Sequence, residues 1–194
     1  AVTNTTVGST NQNFGNFIFQ SPAMTVNMTF SPLGIAGNLT IQNGSSTGEI
    51  RQGSTAFSVG GNFIFTSGRY AIVNATGAQR SITVLGSATI TGGLLNMSIS
   101  NTAIGTLNIA RDFTHTGGTI NETATGSGRI IFNGNTTNPQ TYTSGGTVTN
   151  AINYIVSTGA YVRPADSNTV FLGGGTFTLQ TGATLGIKSA QGIT

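Results

Sequence analysis

Apolar and polar residues alternate in short runs, and the runs return along the chain at a nearly constant interval. One run reads Phe57-Ser-Val59, Ile82-Thr-Val84 and Leu107-Asn-Ile109, so Phe57, Ile82 and Leu107 share one column and Val59, Val84 and Ile109 another, both with equal steps. A second run follows the first. It reads Gly15-Asn-Phe-Ile-Phe19, Gly37-Asn-Leu-Thr-Ile41, Gly61-Asn-Phe-Ile-Phe65, Gly86-Ser-Ala-Thr-Ile90 and Arg111-Asp-Phe-Thr-His115, again at nearly equal steps. A glycine column at Gly44, Gly68, Gly93 and Gly118 closes this run, and a third run then places Tyr70, Leu95 and Ile120 in register. Alternation with period two is the signature of a strand with one buried face.

One repeat is therefore strand, corner, strand, glycine turn, strand. A fixed period of this size marks a solenoid, in which each coil buries its apolar face against the next. At roughly 3.3 Å per residue, three short strands and their corners use about 24 residues, one turn of a parallel β-helix. The expected fold is all-β, a right-handed parallel β-helix with coils of about 22–25 residues; the hand follows from the rule for parallel crossovers. Residues 1–128 form the regular part, with residues 1–14 as a partial first coil or a frayed end. Residues 129–194 continue it in looser register. There Arg129-Ile-Ile-Phe132 reads as a strand and Asn133 to Pro139 as a turn-rich insertion. Ile152 to Val156 with Thr158-Gly-Ala160 then matches Thr176 to Leu179 with Thr181-Gly-Ala183, one coil further on.

Three sets of polar residues stand out by column. Asn16, Asn38, Asn62, Ser87 and Asp112 follow the corner residue and are expected to form a hydrogen-bonded ladder that satisfies turn backbone. Thr66, Thr91 and Thr116 form an outward column, as is ordinary for a strand. His115 falls in the column of Phe65 and Ile90, and Glu122 in that of Ile72 and Met97. Two ionisable groups at inward positions need partners, so the pair is expected to bond directly or through one water.

Composition narrows the functions open to such a chain. Charged residues make up 6% of it, against roughly 25% in ordinary soluble domains, so hydroxyls and amides carry its solubility. The net charge of +3 comes from scattered bases with no basic run, which argues against nucleic acid as a partner. There is no cysteine, as suits a solenoid whose core grows with its length. No run is long and apolar enough to span a membrane as a helix. The first residues lack a signal-peptide pattern, and the chain reads as a mature or excised piece whose main partner is the rest of a larger parent chain. Glycoside cleavage needs two carboxyl groups flanking one bond. Glu49, Asp112, Glu122 and Asp166 are the only carboxylates, and Glu49 and Asp166 stand alone. One histidine is too few for a zinc site, so neither catalytic residues, metal nor cofactor is expected.

The stretch Asp112-Phe-Thr-His-Thr-Gly-Gly-Thr-Ile-Asn-Glu122, with Gly126 to Gly134, Gln140 to Gly146 and Thr181 to Ile187, resembles the Thr/Gly/Asn-rich repeats of very large secreted, adhesin-like proteins of Bacteroidetes bacteria. The resemblance covers most of residues 80–194. It implies export by the type 9 route and a place in a secreted or cell-surface protein. The expected function is a structural scaffold or stalk without catalysis. A carbohydrate-binding or carbohydrate-cleaving β-helix and a self-assembling extracellular fibre are the alternatives, with surface glycans or like subunits as further partners.

Overall fold

Every strand pairs in parallel with its counterpart in the neighbouring coils, and the chain winds through about seven turns. The computed structural model describes residues 5–7, 12–44, 47–53, 55–123 and 127–188. No helix occurs among them. The fold is an all-β parallel solenoid, and its strands line three faces.

Face one is a sheet of eight strands: Asn13–Phe14, Gly34–Ile35, Phe57–Val59, Gln79–Val84, Ile104–Ile109, Gly128–Phe132, Ile152–Val156 and Phe177–Leu179. Ile82 pairs with Phe57 on one side and Leu107 on the other, as the sequence columns predict. Face two runs from Phe17–Phe19 through Leu39–Gln42 and Phe63–Ser67 to Gln140–Ser144, Tyr161–Pro164 and Thr184–Leu185. Face three carries Thr5–Val7, Met28–Phe30, Ile50–Gln52, Arg69–Val73 and Thr147–Thr149. In the middle coils Ala88–Ser98 and Phe113–Glu122 run through both faces, so faces two and three form one sheet.

The residues predicted to point inward fill the core. Leu39, Ile41, Phe63, Phe65, Tyr70, Ile82, Val84, Ile90, Leu95, Leu107, Ile109 and Phe113 are all fully buried. The ladders pass residue 128 without a break: Leu107 pairs with Ile130, Ile130 with Tyr154, and Tyr154 with Phe177. The insertion at 133–139 loops out and is anchored by buried Gln140. Its Nε2 donates to the carbonyls of Ile109 (2.7 Å) and Arg111 (2.6 Å), and its Oε1 accepts from the Gly134 N–H at 2.7 Å. The match between Gly159 and Gly182 also holds, since both take φ of +70°.

Register departs from the sequence columns at the turn between faces two and three. Gly68, Gly93 and Gly118 share positive φ (92°, 77° and 72°), which favours glycine. Gly44 does not belong with them. Ile41 pairs with Phe65 and Gln42 with Ser67, so Thr66 is an extra residue and Asn43, not Gly44, precedes Gly68 in the stack. Pairing slips again where Thr91 meets Gly117 and where Ser98 meets Glu122.

Candidate functional site

The corner ladder explains the repeated Gly-Asn dipeptide. Asn16 Oδ1 accepts from the Asn38 N–H (2.8 Å), Asn38 Oδ1 from the Asn62 N–H (2.8 Å), and Asn62 Oδ1 from the Ser87 N–H (2.9 Å). The bonds run from side chain to backbone. A Cβ at Gly37 would lie 2.2 Å from Asn16 Oδ1, and one at Gly61 or Gly86 would lie 2.3 or 2.4 Å from the oxygen of Asn38 or Asn62. Glycine is therefore needed because the asparagine one coil earlier occupies the space, and at Gly61 and Gly86 the backbone of the preceding corner glycine also lies within 3.0 Å of a Cβ. Ser87 receives this bond and passes none on among the described residues. Arg111 stands at the corner where the other coils have glycine, and its N–H donates to the Gly86 carbonyl at 3.2 Å. Asp112 resumes the pattern, with Oδ1 accepting from the Thr141 N–H at 2.8 Å.

Thr66, Thr91 and Thr116 are all exposed, as predicted for an outward column. They are not a straight rank, because Thr91 lies opposite Gly117 after the register slip.

His115 and Glu122 are both buried, each 1% exposed, yet no direct hydrogen bond joins them. Their placement differs from the sequence columns in two respects. His115 lies on face two, stacked on Phe113 with ring centroids 6.3 Å apart, and its Nε2 has no hydrogen-bond partner. It abuts Gly146, where a Cβ would come within 2.1 Å of Nε2. Glu122 lies at the end of face three opposite Ser98, not in the Ile72–Met97 column, because the register slips after Asn96. Burial pushes the His115 imidazole below its usual pKa, partly offset by a hydrogen bond with the Gly118 backbone. Burial likewise pushes up the phenols of Tyr70, Tyr142 and Tyr154 in the core.

A second ladder runs along face three, through residues that the columns left out. Asn27 Oδ1 accepts from the Glu49 N–H at 3.1 Å. The Glu49 carboxylate, 4% exposed, then divides its two oxygens. Oε2 pairs with Arg51 Nε at 3.1 Å, and Oε1 accepts from Asn96 Nδ2 at 2.6 Å. Asn96 Oδ1 accepts from Asn121 Nδ2 at 3.0 Å, and Asn121 Oδ1 accepts from Thr149 Oγ1 and Asn150 Nδ2. Glu49 is thus not isolated. The spacing of Asn96 and Asn121, one coil apart, was the sequence signal for this ladder; the link to Glu49 skips a coil and left none.

The remaining carboxylate, Asp166, closes its own turn, with Oδ1 accepting from the Asn168 N–H (2.9 Å) and the Thr169 hydroxyl (3.1 Å). Among the described residues no three His, Asp or Glu side chains gather as metal ligands. The outer side of face one carries a shallow open depression of about 270 Å³, lined by Ala56, Gln79, Arg80, Ser81, Thr106 and Asn108. Arg80 Nη1 is held there by the Gln52 carbonyl and Asn74 Oδ1. No family model matches the chain, and no curated protein or solved structure is similar to it.

Proposed function

We propose that the chain is a scaffold or stalk segment of a large secreted or cell-surface, adhesin-like protein, with no catalysis of its own. The observation that carries this reading is the role given to its polar groups. Asp112 and the corner asparagines hold the backbone of the next coil. Glu49 ties Asn27, Arg51 and Asn96 into one ladder, and Asp166 fixes a turn. Polar chemistry goes into holding coils together, which gives stiffness along the axis. The nearly uncharged surface supports the same reading, since such a surface is little affected by salt.

The test is a panel of neutral and acidic polysaccharides incubated with the chain and assayed for new reducing ends or unsaturated products. No product is expected. Cleavage that is lost in Asp112→Ala or Glu122→Ala would overturn the scaffold reading in favour of a carbohydrate-cleaving β-helix.

A further inference from the structure

We propose that the outer side of face one binds an acidic saccharide, seated in the depression beside Thr106 and drawn there by Arg80 and Arg129. Register and burial define the surface. Ile82, Leu107 and Ile130 share an inward column and are fully buried. Ser81, Thr106 and Arg129 each precede one of them and pair in turn, so they form an outward column. Thr83 and Asn108 belong to the outward column beside it. The depression of about 270 Å³ lies where side chains are short, at Ala56, Ser81 and Thr106, between the longer Gln79 and Asn108. Asn108 Nδ2 donates to Thr83 Oγ1 at 3.3 Å, which fixes the amide at the rim.

Charge and lining select the ligand. Arg80 lines the depression, and Arg129 continues its outward column two coils beyond Ser81, about 10 Å along the axis. Neither has a carboxylate partner: among the described residues the one ion pair joins Arg51 to Glu49 on face three. Asp112 holds the next coil at the corner before face two, Glu122 lies at the end of face three, and Asp166 closes a turn. The positive charge of this surface is therefore unbalanced, and an anionic ligand complements it. Arg80 is held in advance, its Nη1 donating to the Gln52 carbonyl (3.2 Å) and Asn74 Oδ1 (3.0 Å). The amides and hydroxyls of the lining match the hydroxyls of a sugar. No aromatic ring lines the depression, so a neutral sugar has no face to stack on. A peptide fits less well. The strands Gln79–Val84 and Ile104–Ile109 each lie between two neighbours, so no edge is open to a further strand, and Ala56 is the only apolar residue of the lining. The two carboxyl groups of a glycosidase are absent from the lining, so binding without hydrolysis is expected. This goes beyond the scaffold reading, which a chain that binds no saccharide would leave standing.

Isothermal titration calorimetry at low salt tests it. The probes are an oligogalacturonate, a sulfated oligosaccharide, a neutral cello-oligosaccharide and an oligoglutamate peptide. Saturable binding of an acidic oligosaccharide, weakened by added salt, is expected, and the two acidic probes distinguish carboxylate from sulfate. The neutral probe and the peptide should bind more weakly than the better acidic one. Arg129→Gln removes a charge beside the depression, and Thr106→Glu places an opposing one within it. Each should weaken binding about tenfold, the loss expected for a charged hydrogen bond, while keeping the wild-type circular dichroism spectrum. Arg163→Gln removes the same charge from face two and should leave the affinity unchanged. No saturable binding of either acidic probe would overturn the proposal. So would a neutral probe or peptide that binds as tightly as the acidic saccharides. Folded Arg129→Gln and Thr106→Glu chains that bind like the wild type, or an Arg163→Gln chain that loses as much as Arg129→Gln, would overturn it as well.

Discussion

Glu49 Oε1 accepts a hydrogen bond from Asn96 Nδ2 at 2.6 Å, although the two lie far apart in the sequence. Neighbouring coils of this region pair Ile50 with Tyr70 and Tyr70 with Leu95, so the carboxylate passes one whole coil. The residue it passes is Ala71, which pairs with Arg51 on one side and Asn96 on the other. A larger side chain at 71 would stand between the partners. Glu49→Ala should leave buried Asn96 without its acceptor and destabilise the chain by about 1–3 kcal/mol. Arg51 is 33% exposed and can turn to water, so its share is small. Denaturant unfolding of wild type, Glu49→Ala and Glu49→Gln checks this, and Glu49→Gln, which keeps an acceptor oxygen, should lose less.

The Gly-Asn corner gives a coupled prediction. Gly37→Ala brings a Cβ to 2.2 Å from Asn16 Oδ1, whereas the nearest backbone atom of the preceding corner, the Gly15 carbonyl oxygen, is 3.1 Å away. The overpacking cost is about 1–3 kcal/mol. In an Asn16→Ser background the same substitution should cost clearly less, because the oxygen that the Cβ meets is gone. Thermal unfolding of the two single variants and the double variant measures the coupling.

His115 contributes a pH dependence to the stability of the core. Its folded pKa lies below the unfolded value of about 6.5. Between those two values the unfolded chain binds more protons than the folded one, so stability rises with pH there. The chain should be most stable above about pH 6.5 as far as this group is concerned, and should lose stability as pH falls from there through the folded pKa. His115→Leu should remove that part of the slope, and melting temperatures measured from pH 8 down to pH 5 would show it. A melting temperature of wild type that falls no faster than that of His115→Leu would contradict the assignment. Gly146→Ala, which drives a Cβ into the imidazole, should destabilise at every pH.

Residues that repeat at a coil's distance were legible in the sequence. The stack of Phe57, Ile82 and Leu107, the asparagine corner and the positive-φ glycines all follow from stacking like on like. What the columns missed comes from insertions of a single residue. Thr66 displaces Gly44 from the glycine stack, and the slip after Asn96 sets Glu122 opposite Ser98 rather than Met97. A period counts positions along the chain, whereas pairing follows the backbone, and a bulge separates the two. The Glu49 ladder was hidden for another reason: its central bond joins coils that are not neighbours.

The central claim is that the chain is a rod whose length grows by one strand spacing per coil. Ser58, Thr83, Asn108, Ile131, Ile155 and Thr178 occupy one column of face one and alternate with its inward residues. Because the chain has no cysteine, pairs of spin labels can be placed at these positions alone. Electron–electron distances measured from Ser58 should rise steadily, coil by coil, to a backbone separation of about 24 Å at Thr178, five spacings of about 4.8 Å. Distances that fail to increase with coil number, or a Ser58–Thr178 pair no further apart than Ser58–Asn108, would contradict the stacked solenoid.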